Sequence, residues 1–274
     1  MELNLSVDPE RVRKILTEFI RSEITRAGYS RAVVNLSGGI DSSVSFVLAA
    51  EGLGPQNVLA IRLPYKTSSA DSLEHAQMLI NQQGCPSLTI PITEMVDPLI
   101  AREPGMSGIR KGNIMARARM IVAYDQSEAF KGLVVGTGNK TEILLGYTTL
   151  YGDSACALNP IGDLYKTQVR QLARTLGIPE SIITKPPSAD LWAGQTDEGE
   201  LGFTYEEVDK LLYLLVDQRY RPEECVDAGF AEDFVRKVLE RIHKNQFKHL
   251  QPPIAKLSSR TVGHDFLSLG DWGT

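Results

Sequence analysis

The sequence predicts an α/β fold, a doubly wound parallel sheet with flanking helices. Short runs rich in β-branched residues alternate with amphipathic helical segments, which is the pattern of βαβ units. Right-handed crossovers in such units place helices on both faces of the sheet. The first of these runs ends in Ser-Gly-Gly and is followed by a helical segment. Turns of this kind lie at the carboxyl ends of the strands, where α/β sheets bind ligands.

The strands and helices follow one another from the N-terminus. A helix capped by Asp8, with Pro9 in its first turn, precedes the sheet. Four strands are predicted, at 31–36, 57–63, 87–90 and 132–136. Helices are predicted at about 41–51, 69–83 and 164–176, with helical segments up to about residue 130 and others after Thr204. Thr204 and Glu207 have the spacing of a capping box. We treat residues 1–274 as one domain and residues 251–274 as a C-terminal tail.

The composition is that of a soluble globular protein. Of the 274 residues, 42% are hydrophobic and 23% are charged, and the net charge is -5. This balance gives no indication of nucleic-acid binding, and no apolar run reaches the roughly 18 residues of a membrane span. The three cysteines, Cys85, Cys156 and Cys225, are far apart and form no CxxC pair. Without a signal-peptide pattern, we expect a cytoplasmic protein with reduced thiols.

The segment at 37–43 reads SGGIDSS and carries the strongest functional signal. Its glycines allow a sharp turn and a close approach of a phosphate. The helix that follows directs its free N–H groups and its positive dipole end at that phosphate. Asp41 is a carboxylate beside this anion site, which suggests a Mg²⁺ ion between them. The segment is neither a Walker A loop nor a Rossmann GxGxxG turn.

This loop resembles the pyrophosphate loop of the N-type ATP pyrophosphatases, which have an adenine nucleotide alpha hydrolase-like fold. The resemblance implies that ATP is a co-substrate and is cleaved between its α and β phosphates. It also implies that the loop residues contact ATP: Asn35, Leu36, Ser37, Gly38, Gly39, Ile40, Asp41, Ser42 and Ser43. The loop alone does not choose among the members, which include NAD, GMP, asparagine and argininosuccinate synthetases and tRNA thiolases.

Further segments make the chain similar to the NAD synthetase family from about residue 33 to 248. They read KGNIMARARMI at 111–121, GTGNKTE at 136–142, YGD at 151–153, NPIGDLYK at 159–166, PSADL at 187–191 and QTDEGELG at 195–202. Glu142 follows the fourth strand closely, so it can reach the same rim of the sheet as Asp41. Two carboxylates that converge on a triphosphate can hold Mg²⁺.

The resemblance assigns roles to single residues. It implies that Asp41 and Glu142 are the Mg²⁺ ligands. It places four more residues at ATP, namely Arg62, Thr137, Lys166 and Ser188, and three at the dinucleotide, namely Arg117, Asp153 and Lys248. The sequence departs from the single-domain pattern at Leu150, Ala157 and Phe247, so we assign no substrate contacts from the family to these positions. Asp153 and Asp197 are candidates to take a proton from ammonium.

The implied reaction is the amidation of deamido-NAD to NAD with ATP and ammonia. It passes through an adenylated carboxylate and releases AMP and pyrophosphate. Glutamine-using relatives carry a further domain of about 250 residues or more, for which this chain has no room, so we expect free ammonia or a partner subunit as the nitrogen source. The resemblance suggests a homodimer. Residues 190–202, with three glycines, are the candidate lid that keeps water from the adenylate.

Two other interpretations stay open. The first is another ATP pyrophosphatase such as a tRNA thiolase, although neither extra cysteines nor a basic RNA-binding surface is evident. The second is a nucleotide sensor that catalyses no reaction. Two candidate metal carboxylates argue against the sensor, because binding alone does not need both.

Overall fold

The strands and helices were assigned in a computed structural model that describes residues 3–188 and 196–267. The strands are β1 (Ala32–Asn35), β2 (Val58–Arg62), β3 (Ser87–Thr89) and β4 (Leu133–Val135). The helices are α1 (Pro9–Arg26), α2 (Ile40–Leu53), α3 (Ala70–Gln83), α4 (Thr93–Ala101), α5 (Gly108–Phe130), α6 (Lys140–Leu145), α7 (Lys166–Thr175), α8 (Glu180–Ile183), α9 (Asp197–Leu201), α10 (Tyr205–Leu212), α11 (Pro222–Asp227) and α12 (Glu232–Asn245). Single 3-10 turns cover Pro55–Asn57 and Gln246–His249, and a π turn covers Tyr213–Asp217.

The four strands form one parallel sheet in the order β3-β2-β1-β4. All four predicted strands are present, each trimmed by one or two residues at its ends. The chain first moves outward from β1 to β2 and β3, and then β4 pairs with the opposite edge of β1. The strand order therefore reverses between β1 and β4. At such a switch point a crevice opens outside the carboxyl ends of the strands.

Helices cover both faces of the sheet, as predicted. Alternate side chains of a strand point to opposite faces. Ala32 and Val34 of β1 pack in a cluster with residues of α1, α2, α3 and α7. Val33, between them, packs in a second cluster with residues of α4 and α5. Because all three side chains are fully buried, β1 is the center of the core and its carboxyl end is held rigidly.

A third apolar cluster lies outside the sheet. It joins α6, α10, α11 and α12 through side chains such as Tyr205, Leu211 and Val235. Thr204 and Glu207 form the predicted capping box at the start of α10. This cluster sets α10 against α6 and α7, the two helices that begin at the rim of the sheet.

The predicted tail is described up to residue 267. Residues 251–267 contain no helix, and Lys256 is paired with Asp265 within this segment. In the described part of the chain, no helix combines the length and the apolar character needed to cross a bilayer.

Candidate active site

A cavity of about 1250 Å³ opens at the carboxyl ends of β1, β2 and β4. It is large enough for more than one nucleotide-sized ligand, since ligand pockets usually measure about 300–1,000 Å³. We call one side of it the phosphate end, formed by residues 35–43 with Glu142 and Lys166. We call the other side the far end, formed by residues of the loop 146–153 with Lys248; Arg117 contacts this loop from outside the cavity lining. Most of the residues predicted from sequence line it: Asn35, Leu36, Ser37, Gly39, Ile40, Asp41, Ser42, Arg62, Thr137, Glu142, Asp153, Lys166, Ser188, Asp197 and Lys248.

The glycine loop is held in shape by its own contacts. Gly38 has φ 81°, and a β-carbon there would lie 2.0 Å from the carbonyl oxygen of Ser72. Only glycine fits at this position, because both the conformation and the space exclude a side chain. The hydroxyls of Ser37 and Ser42 are 2.9 Å apart and line the cavity. Ser43 is buried, and its hydroxyl donates to the carbonyl oxygen of Gly39, so this hydrogen bond lies within the first turn of α2.

Three charged side chains meet at the phosphate end. Lys166 Nζ donates a hydrogen bond to Asp41 Oδ2 and lies 3.3 Å from Glu142 Oε1. Asp41 is in the first turn of α2, Glu142 is in α6 and Lys166 begins α7. The side chains of Asp41 and Glu142 are 16% and 18% exposed, whereas that of Lys166 is 2% exposed. One cation therefore stands between two carboxylates that face the cavity.

Asn139 joins the two carboxylates. Its side-chain amide donates to Asp41 Oδ1 at 2.9 Å, and its side-chain oxygen accepts from the backbone N–H of Glu142 at 3.0 Å. Glu142 Oε2 in turn accepts from the backbone N–H of Asn139, which completes a capping box. The start of α6 thus fixes the position of Glu142 relative to Asp41.

Burial and charge shift the acid–base behaviour of this cluster. Burial, together with the charge of Asp41, raises the pKa of Glu142 to about 8. Burial acts to lower the pKa of Lys166, but the negative charges of Asp41 and Glu142 outweigh it and leave the pKa raised. A lysine whose pKa is raised stays charged at neutral pH. Its ammonium group is therefore a permanent positive charge at the phosphate end.

Aromatic hydroxyls surround the remaining carboxylate, Asp197. Tyr205 donates to its Oδ2 at 3.1 Å, and the Tyr147 hydroxyl lies 3.2 Å from its Oδ1 and 2.6 Å from Glu200 Oε2. The ring of Tyr205 also lies 4.9 Å from Lys166 Nζ. Asp197 is buried, and burial raises its pKa. Of the two predicted proton acceptors, Asp197 is thus the one close to the Lys166 ammonium group.

The donor set of the phosphate end fits a Mg²⁺ ion held jointly with phosphate. No group of three or more histidine, cysteine, aspartate or glutamate side chains in the described part of the chain could hold a metal ion. Magnesium ions in nucleotide sites are usually bound by one or two carboxylates together with substrate phosphates. Asp41 and Glu142 supply these two carboxylates, and both face the cavity.

Two buried polar atoms near the ends of β1 and β2 have no protein partner. They are Asn35 Oδ1 and Arg62 Nε, and both residues line the cavity. An unpaired buried polar atom costs about 1–3 kcal/mol, so it usually has a ligand or water partner. Arg62 lies on an internal strand, between β1 and β3. Arg62 is therefore not a surface charge on the edge of the sheet, and contact with a ligand is the better explanation of its position.

The far end is organized around the backbone of one loop. Lys248 Nζ donates to the carbonyl oxygens of Gly146 and Thr148 at 2.7 and 2.8 Å. Burial lowers the pKa of Lys248, and the nearby Arg241 adds to this effect. Both oxygens of Asp153 accept hydrogen bonds from the same loop, from the hydroxyl of Thr148 and from the N–H of Thr149.

Some predicted residues lie outside the cavity lining. Arg117 is exposed, and its guanidinium donates twice to the carbonyl oxygen of Leu150 at 3.2 Å. Gly38 and Ser43 belong to the loop but face its interior side. The three departures from the family pattern, Leu150, Ala157 and Phe247, are likewise not among the described residues that line it. Of the predicted lid, residues 190–195 lie outside the described residues, and α9 with the buried Asp197 forms the rest.

Sequence reasoning missed several polar residues of the site. Asn139, Thr141 and Asp209 are buried, and Tyr147 lines the cavity. The spacing of Asn139 and Glu142 is a capping-box signal and could have indicated the first of these. No sequence signal marks Asp209, because its partners lie 42 and 68 residues away.

A parallel sheet with a glycine loop and paired carboxylates at its switch point defines a nucleotide-binding α/β protein. The chain belongs to the NAD synthase family, whose profile matches residues 12–252. It is 52% identical to the NH(3)-dependent NAD(+) synthetase of Trichlorobacter lovleyi over 269 residues, which are 98% of each chain. It is 51% identical to the enzyme of the same name from Chlorobaculum tepidum over 98% of this chain and 97% of that one.

Solved structures of similar proteins share the fold. An NH3-dependent NAD synthetase from Campylobacter jejuni superposes with a TM-score of 0.78 at 32% identity, over 91% of this chain and 100% of that one. An NMN synthetase from Francisella tularensis superposes with a TM-score of 0.81 at 29% identity, over 91% of this chain and 99% of that one. The predicted fold class and the predicted family are both confirmed.

Proposed function

We propose that this protein is an ammonia-dependent ligase that converts deamido-NAD to NAD, with ATP as co-substrate. The observation that carries the proposal is the cluster of Asp41, Glu142 and Lys166 beside a glycine loop, at the switch point of the sheet. The names of the curated relatives, at 51–52% identity over nearly the full length, support the same reaction.

The reaction has two steps. The nicotinate carboxylate attacks the α-phosphorus of ATP, and the bond to pyrophosphate breaks. Ammonia then attacks the carbonyl carbon of the resulting adenylated carboxylate, and AMP leaves. The substrate itself is the nucleophile, so the side chains need only to orient the reactants and stabilize charge.

The phosphate end stabilizes the leaving pyrophosphate. The Lys166 ammonium group and the N–H groups at the start of α2 would face the negative charge that develops on the leaving group. Asp41 and Glu142 would hold Mg²⁺, which supplies further neutralization of that charge. Asn35, Arg62, Thr137 and Ser188 line the same cavity and would contact ATP.

The second step needs a proton acceptor, because ammonium must lose a proton before it can attack. Asp197 is the better candidate, since burial raises its pKa toward neutrality and it lies close to Lys166. Asp153 is the alternative, although both of its oxygens already accept hydrogen bonds from its own loop. Unchanged kinetics of both the Asp153→Asn and the Asp197→Asn variant would remove this role.

The dinucleotide would extend from the phosphate end to the far end, where Lys248, Asp153 and Arg117 are its proposed contacts. Residues 190–202 would close over the adenylate as a lid.

We also propose a cytoplasmic homodimer without nucleic-acid or membrane partners, and free ammonia or a separate partner as the nitrogen source. Sedimentation of the purified protein at several concentrations tests the dimer.

One assay tests the reaction. The protein is incubated with deamido-NAD, Mg-ATP and ammonium, and NAD, AMP and pyrophosphate are measured. Equal amounts of all three products support the proposal. Pyrophosphate release only in the presence of tRNA would favor a thiolase, and the absence of any turnover would favor a nucleotide sensor.

A second candidate substrate is the mononucleotide of nicotinic acid. It is favored by the superposition with the Francisella tularensis NMN synthetase, although the identity is only 29%. The same assay with the mononucleotide in place of deamido-NAD decides between them. A larger kcat/KM for deamido-NAD supports the dinucleotide, and the reverse ratio would reassign the substrate.

A further inference from the structure

Helix α10 carries a carboxylate that none of the roles above uses. Asp209 is fully buried, and burial raises its pKa while hydrogen bonds oppose the rise. Its Oδ1 accepts a hydrogen bond from the hydroxyl of Thr141 at 2.6 Å. Its Oδ2 accepts from the backbone N–H of Thr167 at 2.8 Å. A buried carboxylate is costly unless it is well hydrogen-bonded, so its position here is informative.

The two partners of Asp209 adjoin two residues of the phosphate end. Thr141 precedes Glu142 in the first turn of α6, and Thr167 follows Lys166 in the first turn of α7. The Thr141 hydroxyl also accepts from the backbone N–H of Lys166 at 3.1 Å. Because this hydroxyl has a single proton and gives it to Asp209, its lone pair is directed at Lys166.

The same helix supports the side chain of Lys166. Tyr205 and Asp209 are four residues apart, so they lie on one face of α10. The Tyr205 ring is 4.9 Å from Lys166 Nζ, and Asp209 reaches the backbone of Thr167 beside it. One helix face thus contacts the ammonium group of Lys166 and the backbone of the next residue, Thr167.

We propose that Asp209 is a positioning residue, which fixes the starts of α6 and α7 so that Lys166 meets Glu142 and Asp41 at the phosphate end. This inference rests on the proposed function, because it assigns Lys166 a part in the reaction. Lys166 is 2% exposed and makes several short contacts, so a small displacement of its backbone moves Nζ away from them. Misplacement of a reacting group by about 1 Å can lower a rate on the order of 100-fold.

The test is a double-mutant cycle between Asp209→Asn and Lys166→Met. Asparagine has the shape of aspartate but accepts at only one end. Its amide N–H₂ group then faces either the Thr167 N–H, which loses its acceptor, or the Thr141 hydroxyl, which can no longer donate to residue 209 and must accept instead. In the wild-type background, Asp209→Asn should lower kcat on the order of 10- to 100-fold, with KM for deamido-NAD changed much less. In the Lys166→Met background, the same change should lower kcat less than about twofold, because residues that act as a unit are not additive.

A matched control separates positioning from a general loss of stability. Thr204→Ala removes the cap of the same helix, α10, and touches neither α6 nor α7 through a hydrogen bond. The Thr204→Ala change should lower Tm but change kcat little. Its effect should be the same in the wild-type and the Lys166→Met backgrounds. If Asp209→Asn instead lowers kcat by the same factor in both backgrounds, as a structural defect would, the inference is wrong.

Two further measurements keep the outcome decisive. Thr141→Val removes the hydroxyl relay with little change in volume, and it replaces Asp209→Asn in the cycle if that variant does not fold. Calorimetric titration of Mg-ATP into the four proteins of the cycle does not depend on turnover. If no NAD is formed by the wild type, the proposed function fails, whereas non-additive ATP binding would still support the role of Asp209 and additive binding would overturn it.

Discussion

The two ends of the cavity are held together in different ways. At the phosphate end, side chains contact side chains, as between Lys166 and the carboxylates of Asp41 and Glu142. At the far end, the basic side chains contact the backbone: Lys248 donates to the carbonyl oxygens of residues 146 and 148, and Arg117 donates to that of residue 150. A contact between two side chains requires both residue types, whereas a backbone carbonyl is present whatever the residue. The far end can therefore tolerate residues such as Leu150 that depart from the family pattern.

The largest effect is expected at the phosphate end. Asp41→Asn removes one of two carboxylates that face the cavity, and it leaves Lys166 with Glu142 as its only acidic partner among the described contacts. We expect kcat to fall on the order of 1,000-fold, the upper range for the loss of one preorganized electrostatic contact. Steady-state kinetics of NAD formation measures it.

The control for this variant is Asp71→Asn. Asp71 occupies the first turn of α3 as Asp41 occupies that of α2, but it is exposed. The Asp71→Asn variant should lose only the small interaction of this carboxylate with the helix dipole, and its kcat should equal that of the wild type. A fall of less than about tenfold for Asp41→Asn would show that this carboxylate does not act in the reaction.

At the far end, Lys248→Met should act on substrate binding. The variant removes a half-buried cation that lines the cavity and bonds to the carbonyl oxygens of residues 146 and 148. We expect KM for deamido-NAD to rise about 10- to 30-fold, about 1.4–2 kcal/mol, with KM for ATP nearly unchanged. The control is Lys210→Met, which removes an exposed lysine of α10. An equal rise of both KM values would contradict the division of the cavity into two ends.

The sequence predicted the phosphate end better than the far end for a physical reason. The glycine loop, Asp41 and the start of α2 are contiguous in the chain, so one motif contains the turn, the helix and the carboxylate. The strands were predictable because β1 and β2 are buried on both faces and read as continuous apolar runs. The contacts of Asp209 and Lys248 join residues up to 102 positions apart in the chain. They therefore depend on the packing of the third cluster.

A smaller effect concerns stability and pH. The pKa of Glu142 is raised to about 8 in the folded protein from a reference value of 4.5. The folded state thus binds more protons than the unfolded state between these values, so this group stabilizes the protein at low pH and loses that contribution as pH rises through about 8. Glu142→Gln should flatten this dependence in the ligand-free, chelator-treated protein.

Between pH 5 and 8 the free energy of unfolding of the wild type should fall relative to that of Glu142→Gln by about 1.4 kcal/mol for each pH unit. Urea unfolding of wild type and variant from pH 5 to 8.5 measures it. Glu206 is helical like Glu142 but exposed, so Glu206→Gln is the control and should follow the wild-type curve. Parallel curves for wild type and Glu142→Gln would show that Glu142 is not held in an unfavorable charged state.

The smallest effect is expected for Arg117, and it tests how far the far end depends on its backbone contacts. The guanidinium is exposed and donates two hydrogen bonds to one carbonyl oxygen, that of Leu150. Exposed contacts of this kind contribute less than about 1 kcal/mol, so Arg117→Gln should raise KM for deamido-NAD only about threefold if the arginine acts through the loop alone. Leu150→Ala keeps the carbonyl oxygen and should leave KM unchanged. A rise of KM beyond about 30-fold for Arg117→Gln would mean that the arginine leaves Leu150 and binds the substrate directly, and the far end would then resemble the phosphate end in its dependence on side chains.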